Sequence, residues 1–138
     1  MDFTDLYIDG AWHKGAANER FDVLNPATEE VIASVASAEI ADADAALDAA
    51  EAAMKEWAAK TPRHRSEVLR KAWELMTAKL DYFAHLITLE NGKARTDAMG
   101  EATYAAEFFR WFAEEAVRAD GMLTHAPASG ARIMVQHK

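Results

Sequence analysis

The 138-residue sequence contains no cysteine, which removes disulfides, thiolate metal sites and every thiol-nucleophile mechanism together. Basic residues are scarce in the front part: residues 1–60 hold 4 Lys and Arg against 13 Asp and Glu, while residues 61–138 hold 11 against 10. With a net charge of −8 the chain has no concentrated basic face for phosphates, so nucleic acid is excluded as a partner. No window approaches the roughly 20 uninterrupted apolar residues of a membrane span. The start, Met1-Asp2-Phe3-Thr4-Asp5, is acidic where a secretory signal is basic. The chain is therefore expected to be soluble and cytoplasmic, with no membrane partner.

Familiar chemical motifs are missing as well. The six glycines, at 10, 15, 92, 100, 121 and 130, form neither a phosphate-cradling loop nor a dinucleotide fingerprint. The five histidines, at 13, 64, 85, 125 and 137, include no i, i+4 pair, and no serine sits in a nucleophile-elbow pattern. Glu114 and Glu115 are adjacent, and neighbours on a helix point about 100° apart, so they read as a solvated face rather than an acid/base pair. Bulk is scarce too. The apolar fraction is 51%, but 31 residues are alanine, so the core must rest on a few aromatic and aliphatic anchors.

What is present is strong local structure. Leu6-Tyr7-Ile8 runs into Asp9-Gly10, a dipeptide suited to the positive φ angles of a tight turn, and Ala11-Trp12-His13 returns. A second hairpin joins Phe21–Leu24 to Val31–Val35 through Asn25-Pro26-Ala27-Thr28. From Ser37, a plausible N-cap, Ala43, Leu47, Ala50, Met54 and Trp57 repeat at helical spacing. Thr61-Pro62 reads as a cap with an N1 proline, and Gly92 as a C′ glycine, with a break near Leu80-Asp81. A last helix runs from Thr96-Asp97 to Gly121, its heavy face made by Ala105, Phe108 or Phe109, and Phe112. A short connector at Thr61 would set the acidic first helix antiparallel to the basic second one. Beyond the Pro127 to Gly130 loop, Ala131 to Gln136 reads as one strand with no local partner, whose backbone must pair elsewhere.

The expected fold class is α+β: mainly α-helical, with N-terminal β-hairpins and a C-terminal strand. The expected divisions are 1–36 (hairpins), 37–121 (helices) and 122–138 (loop plus strand), all of one partial domain.

In order and spacing, five segments together resemble the amino-terminal part of the aldehyde dehydrogenase superfamily. They are Ile8-Asp9-Gly10-Ala11-Trp12; Asn25-Pro26-Ala27-Thr28 with Glu30-Val31-Ile32; the alanine-rich helix ending in Trp57; Pro62 with Arg65; and Leu89-Glu90-Asn91-Gly92-Lys93. The stretch from Gly100-Glu101 through Tyr104 to Trp111-Phe112-Ala113-Glu114-Glu115 most resembles succinate-semialdehyde dehydrogenases. The resemblance implies an incomplete part of that fold, from an enzyme that attacks an aldehyde with a thiolate, passes a hydride to NAD or NADP, and hydrolyses the thioester. The cysteine, the catalytic glutamate and the glycine motif beside the cofactor come later in the family's order. The chain alone is thus expected to bind no cofactor, to carry no catalytic residue and to be inactive.

By the same resemblance, Tyr104, with Phe108 and Trp111 flanking it, matches a substrate tunnel. Glu90, with the carbonyls of Val23 and Leu24, matches a monovalent cation site. Ala131–Gln136 matches an oligomerisation strand, so a homo-oligomer is expected through that strand and through helix faces left exposed around Trp57, Trp73 and Phe108 to Phe112. The alternative is a free-standing helical interaction module that kept this scaffold and lost its chemistry.

Overall fold

A computed structural model describes residues 4–136, so readings that touch Met1–Phe3 or His137 lie outside the described residues. The chain divides into two compact units. The first comprises Met1–Ala59 with Lys79–Thr103, and the second Lys60–Ala78 with Tyr104–Lys138.

In the first unit β1 (Leu6–Ile8) pairs antiparallel with β2 (Ala11–His13). Asp9 at φ 49° and Gly10 at φ 77° make the turn that the dipeptide predicts. Tyr7 and Trp12 sit opposite each other, with ring centroids 5.0 Å apart. The second hairpin, β3 (Arg20–Leu24) with β4 (Val31–Ala36), also forms where expected and carries a bulge between Val23 and Leu24. Its turn is closed by Asn25, whose Oδ1 accepts from the Ala27 N–H at 2.9 Å.

The first helix, α1 (Ile40–Ala59), starts later than a Ser37 cap would place it. The Ser37 N–H is committed to the Glu19 carbonyl at 2.9 Å, which continues the strand pairing. Capping falls to Glu39 and Asp42 instead. The Glu39 carbonyl accepts from the Asp42 and Ala43 amides, and the Asp42 carboxylate reaches back to the Glu39 N–H at 2.9 Å. The same carboxylate accepts from the Ala16 N–H at 3.0 and 3.1 Å, which ties the loop after β2 to the helix start.

Asp42 is only 9% exposed, and its bonds to the Glu39 and Ala16 amides, in that order, hold its pKa below the usual aspartate value. A carboxyl whose folded pKa is depressed stabilises the fold above its unfolded pKa, about 3.9, and loses that contribution as pH falls through the folded value. Urea midpoints should therefore fall between pH 6 and pH 3 by more in the wild type than in Asp42→Asn, which lacks this titration. Equal falls in the two proteins would refute the clamp.

The predicted seam of α1 stays uncovered, with Leu47 68%, Met54 61% and Trp57 42% exposed. The unit's packed centre lies instead between α3 (Leu80–Asn91) and the front of α4 (Arg95–Ala116). There Ala84, Ala98 and Ala102 are buried, flanked by Leu80, Phe83, Ile87 and Met99. Gly92 closes α3 at φ 73°, its N–H donating to the Thr88 carbonyl at 2.9 Å, as its position after Asn91 predicts. Ion pairs of Arg95 with Asp81 and of Lys93 with Glu101 tie α4 and its approach to α3 and back on itself.

In the second unit α2 (Pro62–Thr77) opens on Thr61, whose hydroxyl accepts from the His64 N–H at 3.2 Å, with Pro62 at N1. Its basic residues find carboxylates on their own helix: Arg63 pairs with Glu67, Arg70 with Glu67 and Glu74, and Lys71 with Glu74. For these residues, pairs one turn apart replace the expected bonds to an antiparallel neighbour. The remainder of α4 buries Ala106 and Ala113, while Phe108, Phe109 and Phe112 are exposed by 48%, 37% and 54%. The predicted heavy face is therefore the outer one, because methyl-sized residues let a helix approach its neighbour most closely.

Two expectations at the C-terminal end are corrected. The last helix stops at Ala116 rather than running to Gly121. The final strand, β6 (Arg132–Val135), has a local partner in β5 (Met122–His125), with Met122 opposite Val135 and His125 opposite Arg132. The Ala126 N–H bonds the Ala131 carbonyl at 2.9 Å and closes the turn. A four-residue strand directly after a helix-ending glycine offers too short an alternation to be read in sequence. Among the described residues no helix is long and apolar enough to cross a membrane.

Candidate aromatic site

Helix α4 places Tyr104, Phe108 and Trp111 at i, i+4 and i+7, so that the three side chains share one face. Together with Glu107 and Phe112 they line a cleft of about 320 Å³. The Tyr104 and Phe108 rings meet edge-on with centroids 4.9 Å apart, the arrangement that the aromatic quadrupole favours. Exposure remains high, at 65% for Tyr104 and 60% for Trp111, so the face is one open wall rather than a closed passage. Glu107, absent from the predicted set although it lies one turn from Tyr104, is turned toward Arg110, which donates to it from Nε at 2.8 Å. The wall offers apolar area, one phenol and a paired carboxylate. It can hold and orient an apolar stem, and it presents no nucleophile.

The three predicted cation ligands are divided between two elements. Val23 and Leu24 flank the bulge of β3, and Glu90 is the last residue but one of α3, with an exposed side chain. These elements meet two residues beyond the candidate ligands on each side: a Cβ built on Gly92 would lie 3.0 Å from Pro26 Cγ. The pieces are thus brought to one corner of the first unit. Among the described residues no group of three or more His, Asp or Glu forms a metal cage.

No dinucleotide cradle is formed by this chain. Among the described residues Gly10 and Gly15 lie in loops and Gly92 at a helix end, all at positive φ, while a Cβ on Gly121 would meet the Val135 carbonyl of the C-terminal hairpin at 2.3 Å. None leads a helix N-terminus, where a pyrophosphate would sit.

The sequence profile of the aldehyde dehydrogenase family matches residues 12–138. The chain belongs to the aldehyde dehydrogenase family. A succinate-semialdehyde dehydrogenase of Paenarthrobacter nicotinovorans is 50% identical over 108 residues, covering 78% of this chain and 24% of that protein. The NADP(+) succinate-semialdehyde dehydrogenase of Saccharomyces cerevisiae is 46% identical over 115 residues, covering 83% of this chain and 23% of its own length. Among solved structures, a succinate-semialdehyde dehydrogenase from Burkholderia pseudomallei superposes with a TM-score of 0.84 at 38% identity, covering 93% of this chain and 27% of that one. The chain therefore spans about a quarter of the length of the aldehyde dehydrogenases it matches, and its hairpins and helices are the amino-terminal part of their fold.

Proposed function

We propose that the chain supplies the amino-terminal quarter of an NAD(P)-dependent semialdehyde dehydrogenase, an enzyme that oxidises succinate semialdehyde or a close relative to the acid. The observation that carries this reading is the 50% identity to a succinate-semialdehyde dehydrogenase four times as long. In the complete enzyme NAD or NADP accepts the hydride, and residues of the longer polypeptide bind it. This chain's own contributions are positional. Tyr104, Phe108 and Trp111 form an apolar wall for the aldehyde's stem, consistent with the open cleft on α4. The carbonyls of Val23 and Leu24, with Glu90, hold a monovalent cation. The edge of the C-terminal hairpin, Ala131–Gln136, and the exposed apolar faces of α1 and α4 pair with further copies of the enzyme.

The family's chemistry needs a thiolate to form the thiohemiacetal, and this sequence has no cysteine. The purified chain mixed with succinate semialdehyde and NAD⁺ or NADP⁺ should give no reduced cofactor by absorbance. Sustained production would overturn the proposal. The same preparation should show concentration-dependent mass in light scattering, and a monomer at every concentration would refute the assembly part.

A further inference from the structure

Among the arginines of α2 and the rear of α4, Arg65 alone has no acid one turn away. Arg63, Arg70, Arg110 and Arg118 each have a glutamate three or four residues off and pair with it. Around Arg65 the corresponding positions are Thr61, Pro62, Val68 and Leu69, and none can accept an ion pair. Its Nε is shielded from solvent and has no hydrogen-bond acceptor, and no ion pair to its guanidinium forms among the described residues. A desolvated donor on a permanently charged group is costly to leave unmet, by more than an exposed one.

The two flanks of α2 differ in kind. At about 100° per residue, Arg63, Glu67, Arg70 and Glu74 fall on one side. Arg65, Val68, Ala72 and Leu75 fall on the opposite side, where Val68 is 45% and Leu75 53% exposed. That side is an apolar strip headed by an unmet guanidinium.

We propose that this strip is a docking surface for a polypeptide segment that brings one carboxylate to Arg65 and an apolar side chain to Val68 and Leu75. The occupant is a segment of the longer dehydrogenase, so the inference rests on the reading above. Charge complementarity argues for it, since a guanidinium fork takes a carboxylate through two parallel bonds. So does length, since the relatives have about three times as much chain again to provide the segment.

The test is a titration of the nitrogen-15 arginine-labelled chain with sodium acetate, ionic strength being held constant with sodium chloride. The Arg65 Nε–H resonance should move downfield and saturate. That of Arg110, already bonded to Glu107, should stay, and neutral acetamide should move neither. An Arg65 signal that ignores acetate, or follows acetamide equally, would overturn the proposal while leaving the dehydrogenase reading intact, because the cofactor assay tests that reading separately. A shift produced by raising the chain concentration alone would also overturn it, by showing a second copy as the occupant. In a fusion of this chain to the remaining three quarters of the Paenarthrobacter nicotinovorans relative, whose own activity reports folding, acetate should no longer move Arg65. A response that persists there would overturn the occupant.

Discussion

Gly15→Ala should cost about 3 kcal/mol of stability and lower the melting temperature by about 10 °C. Two effects add at this position. Gly15 holds φ at +87°, where an L side chain strains against its own backbone by about 1–2 kcal/mol. A Cβ there would also sit 2.9 Å from the Ser37 carbonyl and 3.5 Å from Asp42 Oδ2, so the loop cannot relax without disturbing the clamp on the start of α1. Gly10→Ala separates the two effects, because Gly10 has φ +77° with nothing within 4 Å of the added carbon. It should lose only the strain, about 1 kcal/mol. Gly130→Ala, with an open surround and no positive φ, should be neutral. Calorimetric melting of the three variants checks the order, and equal losses for Gly15→Ala and Gly10→Ala would show that the Ser37 contact carries no energy.

These positions show what the sequence makes legible. Asp9-Gly10, Thr61-Pro62 and Asn91-Gly92 act on neighbours within four residues, so their turn, cap and helix end follow from local chemistry alone. The aromatic face of α4 is readable for the same reason, since Tyr104, Phe108 and Trp111 lie one and two turns apart whatever surrounds them. The features that escape sequence reading are set by contacts from far along the chain. Ser37 looks like a cap until Glu19, 18 residues earlier, takes its N–H. Ala131–Gln136 looks solitary because its partner is a run of four residues, Met122–His125, with no alternation long enough to notice. Arg65 is a middle case: its lack of an acid at i±3 and i±4 is written in the sequence, but only the shielding of its Nε shows that the lack matters.

The strongest conflict between pattern and packing concerns size, and it leads to the second large effect. Hydrophobic bulk points to Phe108, Phe109 and Phe112 as the packed face of α4, yet the buried apolar residues among those described are all alanines: Ala36, Ala84, Ala98, Ala102, Ala106 and Ala113. Ala98 and Ala84 are both 0% exposed in the seam between α3 and α4, so the gap there is a methyl wide. Ala98→Leu would force three further carbons into it and should cost about 3 kcal/mol, at the upper end for overpacking. Ala98→Gly removes the methyl and adds backbone freedom, for a loss of about 1 kcal/mol. Phe108→Ala removes a far larger side chain, but one that is 48% exposed and held chiefly edge-on against Tyr104, and should also lose only about 1 kcal/mol. Urea unfolding of the three variants decides between the two faces. If Phe108→Ala is the most damaging, the aromatic side of α4 is the core and the alanine seam is incidental. If Ala98→Leu is, the aromatics are held outward on a scaffold of methyl contacts, available to the aldehyde and to the rest of the enzyme.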